Sequence, residues 1–151
     1  MFKNFLEEYD KIKIGTGLYI FLYFLTYTIF VAFQIGRLQV VLNKVFNKEI
    51  VNTTLIYLTL IFGGISFYTI FFEEGNPTET TDVIIFLCWI INYIIFIVIS
   101  FNISKEFEFL IIKEKIKLPE SLKFNTFYLI LFNLFYINYK FNQFLELELK
   151  K

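Results

Sequence analysis

Three stretches of this chain, 15–36, 51–72 and 83–103, each run for about twenty residues without an Asp, Glu, Lys or Arg. A helix rises about 1.5 Å per residue and the hydrocarbon core of a bilayer is about 30 Å thick, so roughly 20 apolar residues cross it. Lipid offers no partner to a backbone N–H or C=O, so a crossing segment must close its hydrogen bonds within itself, as a helix does. The sequence therefore predicts three spanning helices. A fourth apolar stretch, Phe124 to Tyr139, is shorter. Pro119 precedes it at a position suited to a helix start, and Lys123 and Lys140 bracket it. Extended towards opposite headgroup layers, those two lysines would frame a fourth crossing over about 122–140, with a re-entrant or interfacial placement as the alternative.

The expected architecture is all-α: one domain, 1–151, folded as a four-helix transmembrane bundle with short loops. No internal repeat or flexible linker divides it. Residues 1–13 mix Lys with Glu7, Glu8 and Asp10, and no small-residue cleavage site follows, so no cleavable signal peptide is expected. Loop 73–82 carries Glu73, Glu74, Glu79 and Asp82 and no basic residue, which favours the translocated face. The opposite, basic face would hold Arg37, Lys44 and Lys48, then Lys105, Lys113, Lys115, Lys117 and Lys123. Four crossings would leave both termini on the face of the acidic loop, a division of eight basic residues against six. Helical extensions are expected on the basic side, where Leu38, Val41, Leu42 and Val45 keep helical spacing beyond Arg37. Phe107, Leu110 and Ile111 do the same beyond Ser104.

Composition excludes most chemistry. Histidine is absent, which removes the commonest metal ligand and general base. The lone cysteine, Cys88, lies in an apolar run and can form neither an internal disulfide nor a cysteine-rich metal site. The 14 basic and 14 acidic residues balance, so nothing here attracts nucleic acid. No phosphate-binding loop, dinucleotide motif, nucleophile elbow or zinc signature occurs, and the acidic loop lacks the ligand spacing of a calcium site. The four stretches contain no ionisable carboxylate or amine, which argues against proton or ion coupling by this chain alone. The sequence thus predicts no catalytic residue, no cofactor and no metal.

Polar residues inside the apolar stretches are the candidates for contact sites. Asn52, Thr59 and Ser66 recur every seven residues with Gly63 beside them, a small, weakly polar face suited to close helix packing, or to lining a pore. Gly63 and Gly64 together are a candidate kink. Asn92, near mid-membrane and on the face of Cys88, requires a hydrogen-bonding neighbour. On a continuous fourth helix, Asn125, Tyr128, Tyr136, Tyr139 and Gln143 fall within an arc of roughly 80°. That arc is either a stripe facing a partner or an aromatic belt at the headgroups.

The chain has 22 Phe, 10 Tyr and 13 Lys but one Ala (Ala32), one Arg and two Pro, the profile of AT-rich codons. With runs such as FLYFLTYTIFVAF and YLILFNLFYINYKFN, it resembles organelle-encoded membrane subunits of protist mitochondrial respiratory complexes. The resemblance is one of composition, and bacteria with AT-rich genomes make similar proteins. It implies an accessory, non-catalytic subunit of a larger respiratory enzyme in the mitochondrial inner membrane, with other membrane subunits and lipids as partners. The alternative is a small bacterial inner-membrane protein forming an oligomeric pore, of a holin-like or defence type. The topology can be checked with cysteines at Thr78 and Lys113. An impermeant reagent is expected to label them from opposite sides of the membrane, and labelling of both from one side would contradict the charge argument.

Overall fold

Phe2, Phe5, Leu6 and Tyr9 recur at the i, i+3, i+4, i+7 spacing of one helical face, and all four are buried. They form α1 (Phe2–Asp10), the first of six helices in the structure, a computed structural model that describes residues 1–26, 28–72, 79–116 and 119–149. The others are α2 (Thr16–Thr26), α3 (Ile29–Phe46), α4 (Thr53–Phe72), α5 (Glu79–Lys113) and α6 (Thr126–Leu149), with a 3₁₀ turn at Glu120–Leu122. The described residues contain no strand. Three helices, Ile29–Phe46, Thr53–Phe71 and Thr81–Lys113, are long and apolar enough to cross a membrane. The acidic loop lies largely in 73–78, outside the described residues.

The path of the chain differs from a four-helix bundle at two places. The stretch 15–36 is not one helix: α2 ends at Thr26, Thr28 takes a left-handed φ of 78°, and α3 then leaves in the opposite direction. Contacts nest about that turn. Tyr19 lies edge-on to Phe30 at 5.7 Å, Gln34 donates to the Ile12 carbonyl at 2.8 Å, and Lys44 meets Glu8 at 2.7 Å. A straight helix would hold Ile12 and Gln34 roughly 33 Å apart.

The stretch 122–140 is likewise folded back. Asn133 has φ 37° and ψ −117°, outside any helical region, and divides α6 into arms 126–132 and 134–149. Phe124 and Phe144 lie ring to ring at 6.1 Å, and the Asn125 N–H donates to the Tyr136 hydroxyl at 3.2 Å. Twenty residues of straight helix would span about 30 Å. Lys140, expected to reach a headgroup layer, is 5% exposed and lies 5.2 Å over the Tyr136 ring. Gly63 and Gly64 produce no break, since α4 runs unbroken from Thr53 to Phe72.

Both hairpins stop halfway along α5. Thr28 is bonded by Asn92 and Ile130 by Tyr93, at the middle of the apolar run 83–103. Gln39, ten residues into α3, is bonded to Val51 and Thr53 at the start of α4, so α3 lies displaced towards one end of the α4–α5 pair. Burial along α5 reports the same asymmetry. Between Asp82 and Ile94 only Cys88 and Asn92 are buried, whereas Ile95, Phe96, Ile99, Ser100, Ile103 and Ser104 are all buried. Among the described residues one end is wide, with every helix present, and at the other only α4 and α5 continue.

The wide end is built around Phe107, fully buried, whose ring lies within 6.4 Å of those of Phe2, Phe5, Phe46, Phe124, Phe141 and Phe144. Truncation of a ring so placed costs about 3–5 kcal/mol in a well-packed core. This cluster joins α1, α3, α5, the second arm of α6 and Phe124, just before its first arm, in one contact. The amino terminus closes it: Met1 meets Glu114 at 2.8 Å, and the Phe2 N–H donates to the same carboxylate at 3.1 Å, which holds Glu114 below the usual carboxyl range. Lys44 and Lys11 hold Glu8 low in the same way.

These contacts correct the expected position of the termini. The amino terminus and Phe144 lie with Phe107 and Glu114 at the far end of α5 from Glu79 and Asp82. No Lys or Arg occurs from Thr53 to Ser104, so the basic residues among the described ones gather at the wide end, and the weak eight-to-six division gives way to a one-sided distribution there. Single cysteines at Lys3 and Lys113 are therefore expected to react with an impermeant reagent from the same side. Reaction from opposite sides would refute the fold-back of the first hairpin.

Candidate functional site

The helix breaks at Thr28 and Asn133 each meet a side-chain amide or hydroxyl, and that pattern defines the candidate site. At the first break Thr26 Oγ1 donates to the Leu22 carbonyl (2.8 Å) and accepts from the Phe30 N–H (3.1 Å), bridging the end of α2 and the start of α3. Asn92 Nδ2 on α5 donates to Thr28 Oγ1 at 3.3 Å. At the second break the Ile130 carbonyl accepts from the Tyr93 hydroxyl at 2.7 Å, and Asn133 Oδ1 accepts from the Leu134 N–H at 2.7 Å. Adjacent residues of α5 thus serve both breaks. In apolar surroundings an unsatisfied backbone group costs several kcal/mol, so broken helices persist only where such partners are supplied.

A second set serves the link between α1 and α2. Asn138 and Asn142, one helical turn apart, accept the Tyr9 hydroxyl through their Oδ1 atoms at 2.9 and 3.2 Å. Their amide nitrogens both donate to the Ile14 carbonyl, at 3.0 and 2.9 Å, while Gln34 takes the Ile12 carbonyl. Burial pushes the Tyr9 phenol well above its usual pKa, so it stays a donor. Gln39 does the corresponding work for the α3–α4 link, donating to the Val51 carbonyl at 2.7 Å. Sequence reasoning did not single out Gln34, Gln39, Asn138 or Asn142. The Asn138/Asn142 spacing of four was the available signal.

The residues that the sequence singles out separate into four groups. Asn52 and Asn125 are exposed helix caps: Asn52 Oδ1 accepts from the Thr54 N–H at 2.8 Å, and Asn125 Oδ1 from the Phe127 N–H at 2.9 Å. Thr59, Gly63 and Ser66 are buried along one line of α4, and the two hydroxyls donate to the carbonyls of Leu55 and Phe62 in their own helix. Asn92 is buried at the first break, with its Oδ1 lacking a hydrogen-bond partner among the described residues.

The remaining stripe does not lie on one helix, because Asn133 intervenes, yet part of it is reassembled by the fold-back. Tyr128 and Tyr136, on opposite arms, come to 5.6 Å, and the Tyr136 hydroxyl accepts from Asn125. Tyr136 is buried; Tyr128 and Tyr139 are exposed, and Gln143 donates to the Tyr139 hydroxyl at 2.7 Å. Beside them lies a cavity of about 420 Å³ bounded by Ile20, Tyr128, Phe132, Phe135, Tyr136 and Lys140. No group of three or more His, Cys, Asp or Glu among the described residues is placed to hold a metal. Comparison with protein-family models, with curated proteins and with solved structures gives no match.

The arrangement is suited to holding backbone in place. Tyr93→Phe and Asn92→Ala are each expected to lower stability in bilayers by about 1 kcal/mol, the scale of a membrane hydrogen bond, whereas Tyr57→Phe on the exposed side of α4 is expected to be neutral. Gly63→Leu is expected to cost more than Ile61→Leu, since Gly63 is buried and Ile61 is 55% exposed. Unfolding free energies measured in bilayers provide the check, and equal tolerance at all positions would contradict both assignments.

Proposed function

We propose that this chain is a non-catalytic, integral-membrane subunit of a larger assembly, in its fuller form an accessory subunit of a bioenergetic complex in the mitochondrial inner membrane. The observation that carries the reading is the employment of the embedded polar groups. Asn92, Tyr93, Asn138, Asn142, Gln34 and Gln39 are engaged with the chain's own breaks and links rather than converging on a space where a substrate would sit. The partner-facing region in this reading is the surface of the second hairpin, where exposed Tyr128 and Tyr139 flank the cavity beside Lys140. Tyrosines favour such contacts because they combine a large apolar ring with a hydrogen-bonding tip. The compositional resemblance to organelle-encoded respiratory subunits supplies the membrane and the type of assembly.

The test has two arms. Purified chain in liposomes is expected to pass no protons or small ions above the level of empty vesicles. Purification from native membranes is expected to bring down a fixed set of membrane proteins, whose recovery falls when Tyr128 and Tyr139 are both changed to Ala. A reproducible, selective conductance by the chain alone would overturn the subunit reading and favour an oligomeric pore.

A further inference from the structure

We propose that the chain is a molecular wedge that prefers curved bilayers, seated with its basic, wide end in the convex leaflet. The two hairpins turn at Thr28 and Asn133; Asn92 bonds Thr28, and Tyr93 bonds the Ile130 carbonyl three residues before the second turn, both halfway along the apolar run of α5. In the leaflet nearer the termini the cross-section contains α2, α3, α4, α5 and both arms of α6. In the other leaflet, among the described residues, it contains α4 and α5. With a helix about 10–12 Å across, four additional segments displace roughly 400 Å² more lipid from one leaflet than from the other. A flat bilayer accommodates that difference only by stretching one leaflet or compressing its neighbour, and curvature towards the narrow end relieves it.

Other protein could instead fill the space around the narrow end, but its surface is unsuited to that. The exposed residues there include Val83, Ile84, Phe86, Leu87, Ile90 and Ile94, all large and apolar. Helix contacts in membranes rely on small residues for close approach and on hydroxyls or amides for cross-bonding. Of the small and polar residues of this half, Cys88 and Asn92 on α5 with Gly63 and Ser66 on α4 are buried and Gly64 and Thr69 half-buried, while the exposed Tyr68, Trp89 and Tyr93 present mainly ring surface. Lipid is the occupant this surface fits. Charge fixes the orientation, because the segment from Thr53 to Ser104 contains no Lys or Arg and the wide end holds the basic residues. The device is distinct from an amphipathic surface helix: the amphipathic α1 has its apolar face buried against Phe107, Phe141 and Phe144.

The test is sorting by membrane curvature. Fluorescently labelled full-length chain is reconstituted at low density into one preparation of phosphatidylcholine vesicles of mixed diameter, and protein per unit membrane area is read vesicle by vesicle. Density on the smallest vesicles is expected to exceed that on the largest several-fold. In the small vesicles a Lys113→Cys variant is expected to be labelled from outside by an impermeant reagent, since the wide end belongs in the convex leaflet. Uniform density across diameters would overturn the wedge and indicate that the narrow end is filled by another copy or a partner. Enrichment on small vesicles with Lys113→Cys facing inwards would overturn it equally.

Discussion

The arrangement of this protein depends on one constraint: in an apolar medium a helix can stop only where something else bonds the backbone groups it releases. The chain stops a helix twice inside its apolar stretches, at Thr28 and at Asn133, and consecutive residues of α5 attend to the two stops. Asn92 and Tyr93 point about 100° apart on the helix, so one turn of α5 reaches a hairpin on each side. The depth of both hairpins follows from that single turn. From the depth follow the crowding of one half of the molecule and the near-naked α4–α5 pair in the other.

The wide end has its own logic. Two hairpins and a long helix arriving from different directions leave irregular gaps, and the phenylalanine cluster about Phe107 fills them with rings in tilted, edge-on and stacked contacts. Such geometries are favourable for aromatic quadrupoles and tolerate a range of helix angles. The abundance of phenylalanine, whatever its genomic origin, is therefore structurally used. The amides of Gln34, Asn138 and Asn142 then bind the α1–α2 link to the hairpins, and the pairing of Met1 with Glu114 fixes α1 at the end of α5.

Much of this was legible in the residues. Apolar length and absence of charge gave membrane-compatible helices in α4 and α5, and periodicity beyond Arg37 and Ser104 gave the extensions of α3 and α5. The buried line Thr59–Gly63–Ser66 was visible in its spacing. The hairpins were not, because both breaks fall at residues with ordinary helical neighbours: Thr28 and Asn133 are neither Gly nor Pro, and hydropathy is blind to direction. A reversal within 15–36 has the same composition as a crossing. The sign that distinguishes them lies in distant amides, such as Gln34 reaching Ile12, whose pairing no local pattern reveals. Pattern reading also passed over α1, whose Phe2, Phe5, Leu6 and Tyr9 spacing was plain but masked by its alternating charges. Asn52 and Asn125 were read as contact residues when their positions before Thr54 and Phe127 mark them as caps.

Two apolar stretches of this chain double back halfway along α5. The most direct measurement is a spin-label distance across the second hairpin, with labels on Lys123→Cys and Leu147→Cys in a Cys88→Ser background and the protein in lipid. Packed helix axes lie roughly 8–10 Å apart, so the fold-back places the labels within about 20 Å of each other. A distribution centred near 36 Å, the length of a continuous helix over those 24 steps at about 1.5 Å each, would contradict it.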